Sequence, residues 1–418
     1  MKMGFALFSL TLMLSPSFSY ADSFQDMVIR ILAQDELLKS QSLSIEASRE
    51  ELVPKFFVHL PEVTTSASTS KLYDGSKTQS SSNISLSANV VVFNGGHDSL
   101  VRDEAKKRTQ KLDLESSKKV LERSTTVAQD LLEFISKNKS LVEREKWLKS
   151  RRNILENAEI RFKKGLLAGE EWIRLKIDFD NAQNEFELSK LELDVISGRY
   201  HINRKQLEQL SWPWLHLIGD KTASNIKSFP PASSSLDSRI DEVSLEASSI
   251  AIKAERRRYF PEFSLSAGIS RNFKEDNLPS DVQKSTTLAV SLPLFSRFQT
   301  ESQINSLVKQ QASEKSQAEY QSSENKRTVD FVIQDIKRLR DRLNKDDSIS
   351  KSARDVMEKS REKFLQGKIS ANDFNSDESR YINLYDSWLK DMESLHKDFI
   401  VLCRNTSADI FACVDSQK

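Results

Sequence analysis

Two cysteines and five histidines are the residues of this chain best suited to hold a metal or carry a nucleophilic reaction. Their spacing supports neither. His59, His97, His201, His216 and His396 lack the short intervals that bring imidazoles to one ion. Cys403 and Cys413 stand alone near the C-terminus. In an oxidising compartment they could form a disulfide, and two free buried thiols are the alternative. The sequence contains no glycine-rich phosphate loop and no Gly-x-Ser-x-Gly elbow. Acidic residues are plentiful, but they fall on helix faces where solvation accounts for them. We therefore expect no enzyme, no cofactor and no metal site. A net charge of +1 over 418 residues gives no electrostatic case for nucleic acid.

The informative residues are apolar, and long helices position them. Residues 97–164 contain neither glycine nor proline, the strongest helix punctuators. Through them runs a seven-residue step of Val120, Val127, Phe134, Leu141, Leu148, Leu155 and Phe162. That step predicts a helix roughly 100 Å long with a narrow coiled-coil seam. A composition of 38% hydrophobic and 29% charged residues suits narrowly seamed helices better than a compact core.

The pattern occurs twice. Ser44-Ile45-Glu46-Ala47-Ser48 returns as Ser244-Leu245-Glu246-Ala247-Ser248, and Pro61-Glu62 as Pro261-Glu262, an offset of 200 residues. Further on the offset is 202, linking Leu86 to Leu288, Phe93 to Phe295, Phe162 to Phe364 and Gly165 to Gly367. The chain is a tandem duplication. We expect a first repeat over 22–210, a linker over 211–240 and a second repeat over 241–418. The long helices fall at 97–164 and 299–366. Each turns back near Gly165 or Gly367 into a return helix, at 170–209 and 371–403, with a seam of its own.

Upstream of each long helix the period changes from 3.6 to 2. Ile84, Leu86 and Val90 alternate with serine and asparagine, as do Leu288, Val290 and Leu292 with alanine and serine. We expect strands at about 61–70, 84–93, 261–270 and 286–295. Their ten-residue length suits a tilted membrane strand, and these six apolar residues would form its lipid face. The polar segments Ser70–Asn83 and Arg271–Lys284 are expected as solvent-facing tips. Residues 23–53 are expected as one helix ending near Pro54. Phe93-Asn94-Gly95-Gly96 suits a strand-to-helix bend, which the second copy makes without glycine at Phe295-Ser296-Arg297-Phe298. Residues 1–21 have the basic start, short apolar run and Ser19-Tyr20-Ala21 site of a secretory signal peptide.

Four strands cannot close a membrane barrel, and lipid does not tolerate open edges, so membrane strands would require several chains. The fold class expected is mostly α with a small β part.

The duplicated pattern resembles the TolC family of outer membrane efflux and secretion channels over nearly the whole mature chain. The resemblance is carried by Leu60-Pro61-Glu62 and Phe260-Pro261-Glu262, by Phe93-Asn94-Gly95-Gly96, by Arg161-Phe162-x-x-Gly165 and by Lys363-Phe364-x-x-Gly367. It implies a homotrimer with a twelve-stranded β-barrel in the outer membrane and an α-helical periplasmic tunnel. It also implies export, by type I secretion or tripartite multidrug or metal efflux, with a periplasmic adaptor and an inner-membrane transporter as partners. By the same resemblance Lys164, Gly165, Leu166 and Gly367 would form the adaptor-docking tip, and Asp373 a tunnel-entrance gate. Ser376 stands at the second gate position, with Asp377 one place late, and Lys163 and Lys164 make the first tip unusually basic. A competing reading is a secreted or periplasmic coiled-coil rod with a structural or adhesive role.

Overall fold

The computed structural model describes residues 23–74, 77–213, 235–274, 282–294, 298–406 and 410–415. The expected signal peptide, most of the linker and the bend at 295–297 lie outside these residues. The described chain is helical, with one small antiparallel sheet. In order it forms α1 (Phe24–Ala33), α2 (Glu36–Glu50), α3 (Val53–Phe56), β1 (Glu62–Asp74), β2 (Lys77–Phe93), α4 (His97–Lys163), α5 (Gly169–Arg199) and α6 (Arg204–Leu207). The second half gives α7 (Leu236–Arg256), a 3₁₀ turn (Arg257–Tyr259), β3 (Glu262–Lys274), β4 (Gln283–Ser291), α8 (Gln299–Leu365), α9 (Ala371–Thr406) and α10 (Ile410–Asp415). Helices α4 and α8 are each 67 residues long. The elements cluster into two units.

One unit comprises the described residues among 1–33, 129–219 and 343–393. It holds both helix turns. Ile154 and Ala158 of α4, Leu175 of α5, Phe364 of α8 and Ala371 and Phe374 of α9 form one buried cluster there. On α4 the seam residues Phe134 and Leu141 are buried, while Leu148 and Leu155 are half-buried. The single seam widens between 131 and 135, where Leu131, Leu132 and Ile135 are buried as well. The extra apolar neighbours show that the helix is covered on more than one side there.

The other unit comprises the described residues among 34–128, 220–342 and 394–418. It holds the sheet, in the order β1-β2-β3-β4, with β1 and β4 as its edges. Buried Leu236, Ile240, Val243, Ala247 and Ala254 recur on α7 at helical spacing. Lys118 pairs with Asp237 at 2.5 Å and Lys107 with Glu246 at 2.5 Å, tying α4 to α7. Val120, expected on the seam, is exposed.

Several boundaries differ from the sequence expectation. The polar segment Ser70–Asn83 is mostly strand: β1 and β2 pair as far as Asp74 and Lys77. Hydroxyls pair across this part of the hairpin, as Thr69 and Ser82 do at 3.1 Å, and no glycine or proline interrupts the segment before residue 75. In the second copy β3 likewise reaches Lys274 and β4 begins at Gln283. β4 ends at Ser291, two residues before Pro293, whose ring nitrogen cannot donate to a ladder. The expected helix over 23–53 breaks at Asp35, whose carboxylate accepts a hydrogen bond from the Leu38 amide at 2.8 Å and starts α2. Pro54 sits in the first turn of α3, where proline is tolerated. The first return helix ends at Arg199, ten residues early. There His201 adopts a left-handed φ of 53° and the Ile202 amide donates to the Ser197 carbonyl at 3.2 Å, closing the helix. α7 begins at Leu236 inside the expected linker, because the Ser235 hydroxyl caps it by accepting from the Ser238 amide at 3.2 Å.

The strand-to-helix bend is made with different residues in the two copies. Gly95 and Gly96 have φ of 66° and 84°, and a Cβ on Gly95 would lie 2.4 Å from the Phe260 Cβ. Only glycine fits that approach. In the second copy Phe298 takes φ of 59° instead, a conformation that strains a bulky side chain.

Candidate membrane face and helix turns

Strand pairing sorts the sheet into two chemically distinct faces. Leu86 pairs with Thr65 and Ile269, Ile84 with Ala67, Val90 with Leu265, Leu288 with Leu265 and Val290 with Phe263. All of these share one face. Leu86 is 50% exposed and Leu288 67%, so nothing among the described residues covers this face. Leu292 lies just beyond the end of β4 and is also exposed. The opposite face is a field of hydroxyls and amides. Thr64 and Ser87 hydrogen-bond at 2.9 Å, Ser66 and Ser85 at 2.8 Å, and Asn83 donates to Asn272. Phe93 and Phe263 meet with ring centroids 6.0 Å apart at the end of the apolar face nearest the helices. This arrangement inverts that of a water-soluble sheet, whose apolar face packs inward.

At the junction of strands and helices lies a polar cavity of about 530 Å³ lined by residues including Asn94, His97, Asp98, Arg257, Phe260 and Gln299. His59 and His97 flank Asp98 at 3.9 and 3.4 Å. No group of three or more metal-ligating side chains among the described residues is arranged for a metal ion.

The two helix turns are near-identical. The Leu166 amide donates to the Arg161 carbonyl at 2.8 Å, and the Lys368 amide to the Lys363 carbonyl at 2.8 Å. Gly165 and Gly367 supply the left-handed residue, with φ of 71° and 74°. Lys164 is exposed, and Leu166, which in such a turn often packs back on its helix, is 67% exposed. The Arg161 guanidinium lies alongside Gly367, so the structure brings the two turns together. Asp373 is exposed and forms a capping box with Ser370. The Ser370 hydroxyl donates to its carboxylate at 2.8 Å, and the Asp373 amide donates back to that hydroxyl at 3.2 Å.

Beyond the turn, α4 is tied to α9 by charged groups that the seam pattern alone does not reveal. Arg151 Nε donates to the buried Glu378 carboxylate at 2.9 Å, and its Nη1 to the Asp178 carbonyl of α5 at 2.7 Å. The Trp147 ring lies 4.3 Å from the guanidinium. Burial pushes the Glu378 carboxyl up from its usual range, and Arg151 opposes the shift. Seven residues earlier Arg144 bridges Glu185 and Asp386, each at 2.7 Å, and the Tyr381 hydroxyl donates to Glu143 at 2.8 Å. The available signal was the seven-residue spacing of Arg144 and Arg151, which keeps both beside the seam. Cys403 and Cys413 are bonded as a disulfide between α9 and α10, with Cα atoms 5.6 Å apart.

The sequence matches no protein-family model and no curated protein. The fold, however, is similar to that of several solved outer membrane proteins. The Campylobacter jejuni CmeC outer membrane channel has a TM-score of 0.75 at 11% identity, covering 100% of this chain and 97% of that one. The Vibrio cholerae outer membrane protein VceC has a TM-score of 0.71 at 14% identity, covering 92% and 97%. The Neisseria gonorrhoeae MtrE outer membrane channel, in its open state, has 0.70 at 15%, covering 92% and 89%.

Proposed function

We propose that this chain, which has the fold of the outer membrane efflux channels, is itself an outer membrane channel for export rather than an enzyme. The observation that carries the proposal is the two-faced sheet. An apolar face exposed in the single chain suits lipid, and a hydroxyl-lined face suits a water-filled passage. From Phe263 to Phe273 the apolar face runs roughly 34 Å at ~3.4 Å per residue, or about 25 Å of membrane depth at a tilt near 40°. The aromatic residues at its two ends match the girdles of membrane barrels.

Both sheet edges lack a partner among the described residues, and lipid requires one. Three copies would supply a closed barrel of twelve strands, with the long helices continuing as a periplasmic tunnel. The signal peptide expected at 1–21 would deliver the chain across the inner membrane. A periplasmic adaptor would engage the joined turns at Lys164, Gly165, Leu166 and Gly367, and link the channel to an inner-membrane transporter. Leu166 supports this assignment, as an exposed apolar side chain at the apex of a turn. Asp373 would lie beside the entrance, available to act on passing cations.

Reconstitution of the purified protein in planar bilayers tests the reading. It predicts discrete conductance steps and a β-sheet signal that persists in lipid vesicles. A protein that stays in solution after detergent removal, without conductance, is the coiled-coil rod instead.

A further inference from the structure

Among the described residues, the apolar face of the sheet carries three cations, Lys71, Arg271 and Lys284, and no carboxylate. Arg271 pairs with Ile84 across β2, and Lys284 pairs with Ile269 across β3. Both therefore stand on the face of Leu86 and Leu288, at the end remote from the helices. Arg271 lies two residues beyond Ile269 on the same strand, so it is diagonal to Lys284. That diagonal sets them about 7–8 Å apart. Both are exposed, and Val282 and Ile269 beside them are exposed apolar residues. The Arg271 guanidinium lies 5.4 Å from the Phe273 ring centre. Among the described residues of the strands no carboxylate shares this face, since Glu62 and Glu262 pair with Asn89 and Ser291 on the polar face.

We propose that Arg271 and Lys284 bind the phosphate of a glycolipid headgroup in the leaflet remote from the helices. The inference rests on the membrane reading above, which makes that leaflet the outer one. An apolar face that ends in diagonally placed cations, with no carboxylate on it among the described residues, calls for an anion at the depth where acyl chains give way to headgroups. The guanidinium supplies a planar fork that holds two phosphate oxygens, and the ammonium a point charge beside it. Both side chains have apolar stems that lie along the lipid while their heads reach the interface. Phe273 and Val282 would border the first acyl carbons. A soluble anion would gain nothing from these apolar neighbours, so a lipid phosphate fits better than a free one.

The test is native mass spectrometry of the detergent-purified full chain, titrated with bisphosphorylated lipid A, dephosphorylated lipid A, phosphatidylglycerol or inorganic phosphate. Wild type should bind the bisphosphorylated lipid at least about tenfold more tightly than the dephosphorylated one, as expected for a charged hydrogen bond to phosphate. Arg271→Ala with Lys284→Ala should abolish that preference and leave binding of the dephosphorylated lipid unchanged. Arg271→Lys should retain part of it. Equal wild-type affinity for both lipid A forms overturns the proposal, as does an unchanged preference in the double variant. Phosphatidylglycerol binding as tightly as the bisphosphorylated lipid points to a general anionic interface and also overturns it. Displacement of the lipid by inorganic phosphate makes the site one for a free anion, with the same consequence. If the double variant does not fold, the wild-type selectivity and Arg271→Lys decide the matter. Bilayer conductance separates the two readings: its absence in wild type strikes the channel, whereas lost lipid preference with normal conductance strikes only this site.

Discussion

Phe162 stacks on Trp172 with ring centroids 5.4 Å apart, and the same positions of the second copy, Phe364 and Phe374, stack at 5.7 Å. The duplication thus repeats an aromatic clamp at each helix turn. The clamps differ in burial, since Phe162 is 40% exposed and Phe364 only 4%. Phe364 lies in the cluster that joins residues of α4, α5 and α9.

Phe364→Ala should therefore cost about 3–5 kcal/mol, the range for an emptied aromatic site in a core. Phe162→Ala, half in water already, should cost about half as much. Thermal unfolding in detergent checks the order, and equal losses would mean that the second clamp is no better packed than the first.

Leu86→Arg places a charge on the apolar face and should cost about 2–4 kcal/mol if that residue meets lipid near the mid-plane. Ser87→Arg, one residue on, faces the hydroxyl side and should be tolerated. The fraction of protein recovered as folded sheet in membranes measures both. A rod without membrane strands would be indifferent to either change.

The alternation behind that contrast was legible in the sequence because a strand with one apolar and one polar face writes its period into every second residue. The helix turns were equally legible, since only glycine takes φ near 70° without strain. Strand ends were not. The serine-rich stretch after Ala67 has the composition of a loop, yet its hydroxyls pair across the hairpin and prolong it. Nor was the Arg151–Glu378 pair, because a charged residue beside a seam has the same pattern whether water or a neighbouring helix covers it. The diagonal of Arg271 and Lys284 depends on a strand register that no single strand reveals.

Arg151→Met should destabilise by about 3–5 kcal/mol, because it leaves the Glu378 carboxylate buried and unpaired. Combining it with Glu378→Leu should restore most of the loss. A double variant no more stable than the single would show that the two side chains are not coupled.

Asp373→Ala removes a capping-box carboxylate and should cost about 1 kcal/mol. If the carboxylate also acts on passing cations, Asp373→Asn should raise conductance and weaken block by divalent ions. Unchanged block in the asparagine variant would limit Asp373 to capping.

Asp398 on α9 titrates at about 7, raised chiefly by burial and then by the Asp335 carboxylate hydrogen-bonded to it. A carboxyl raised in the fold contributes stability that is complete below its unfolded pKa, near 4, and is lost as pH rises through 7. Melting temperature should fall across that window in wild type and less steeply in Asp398→Asn. Above pH 7 the asparagine variant should melt higher. Parallel profiles would place the titration elsewhere.

The unequal sheet edges have a consequence for the order of events in assembly. β1 offers 13 residues and β4 only 9, and in the proposed channel each edge would need another chain. A lone chain cannot rest in a bilayer with a row of bare amides and carbonyls on either flank. In the proposed channel, entry into lipid and recruitment of partners would therefore become a single step. The channel would appear in the membrane whole, with a rate that climbs steeply as chains accumulate outside it.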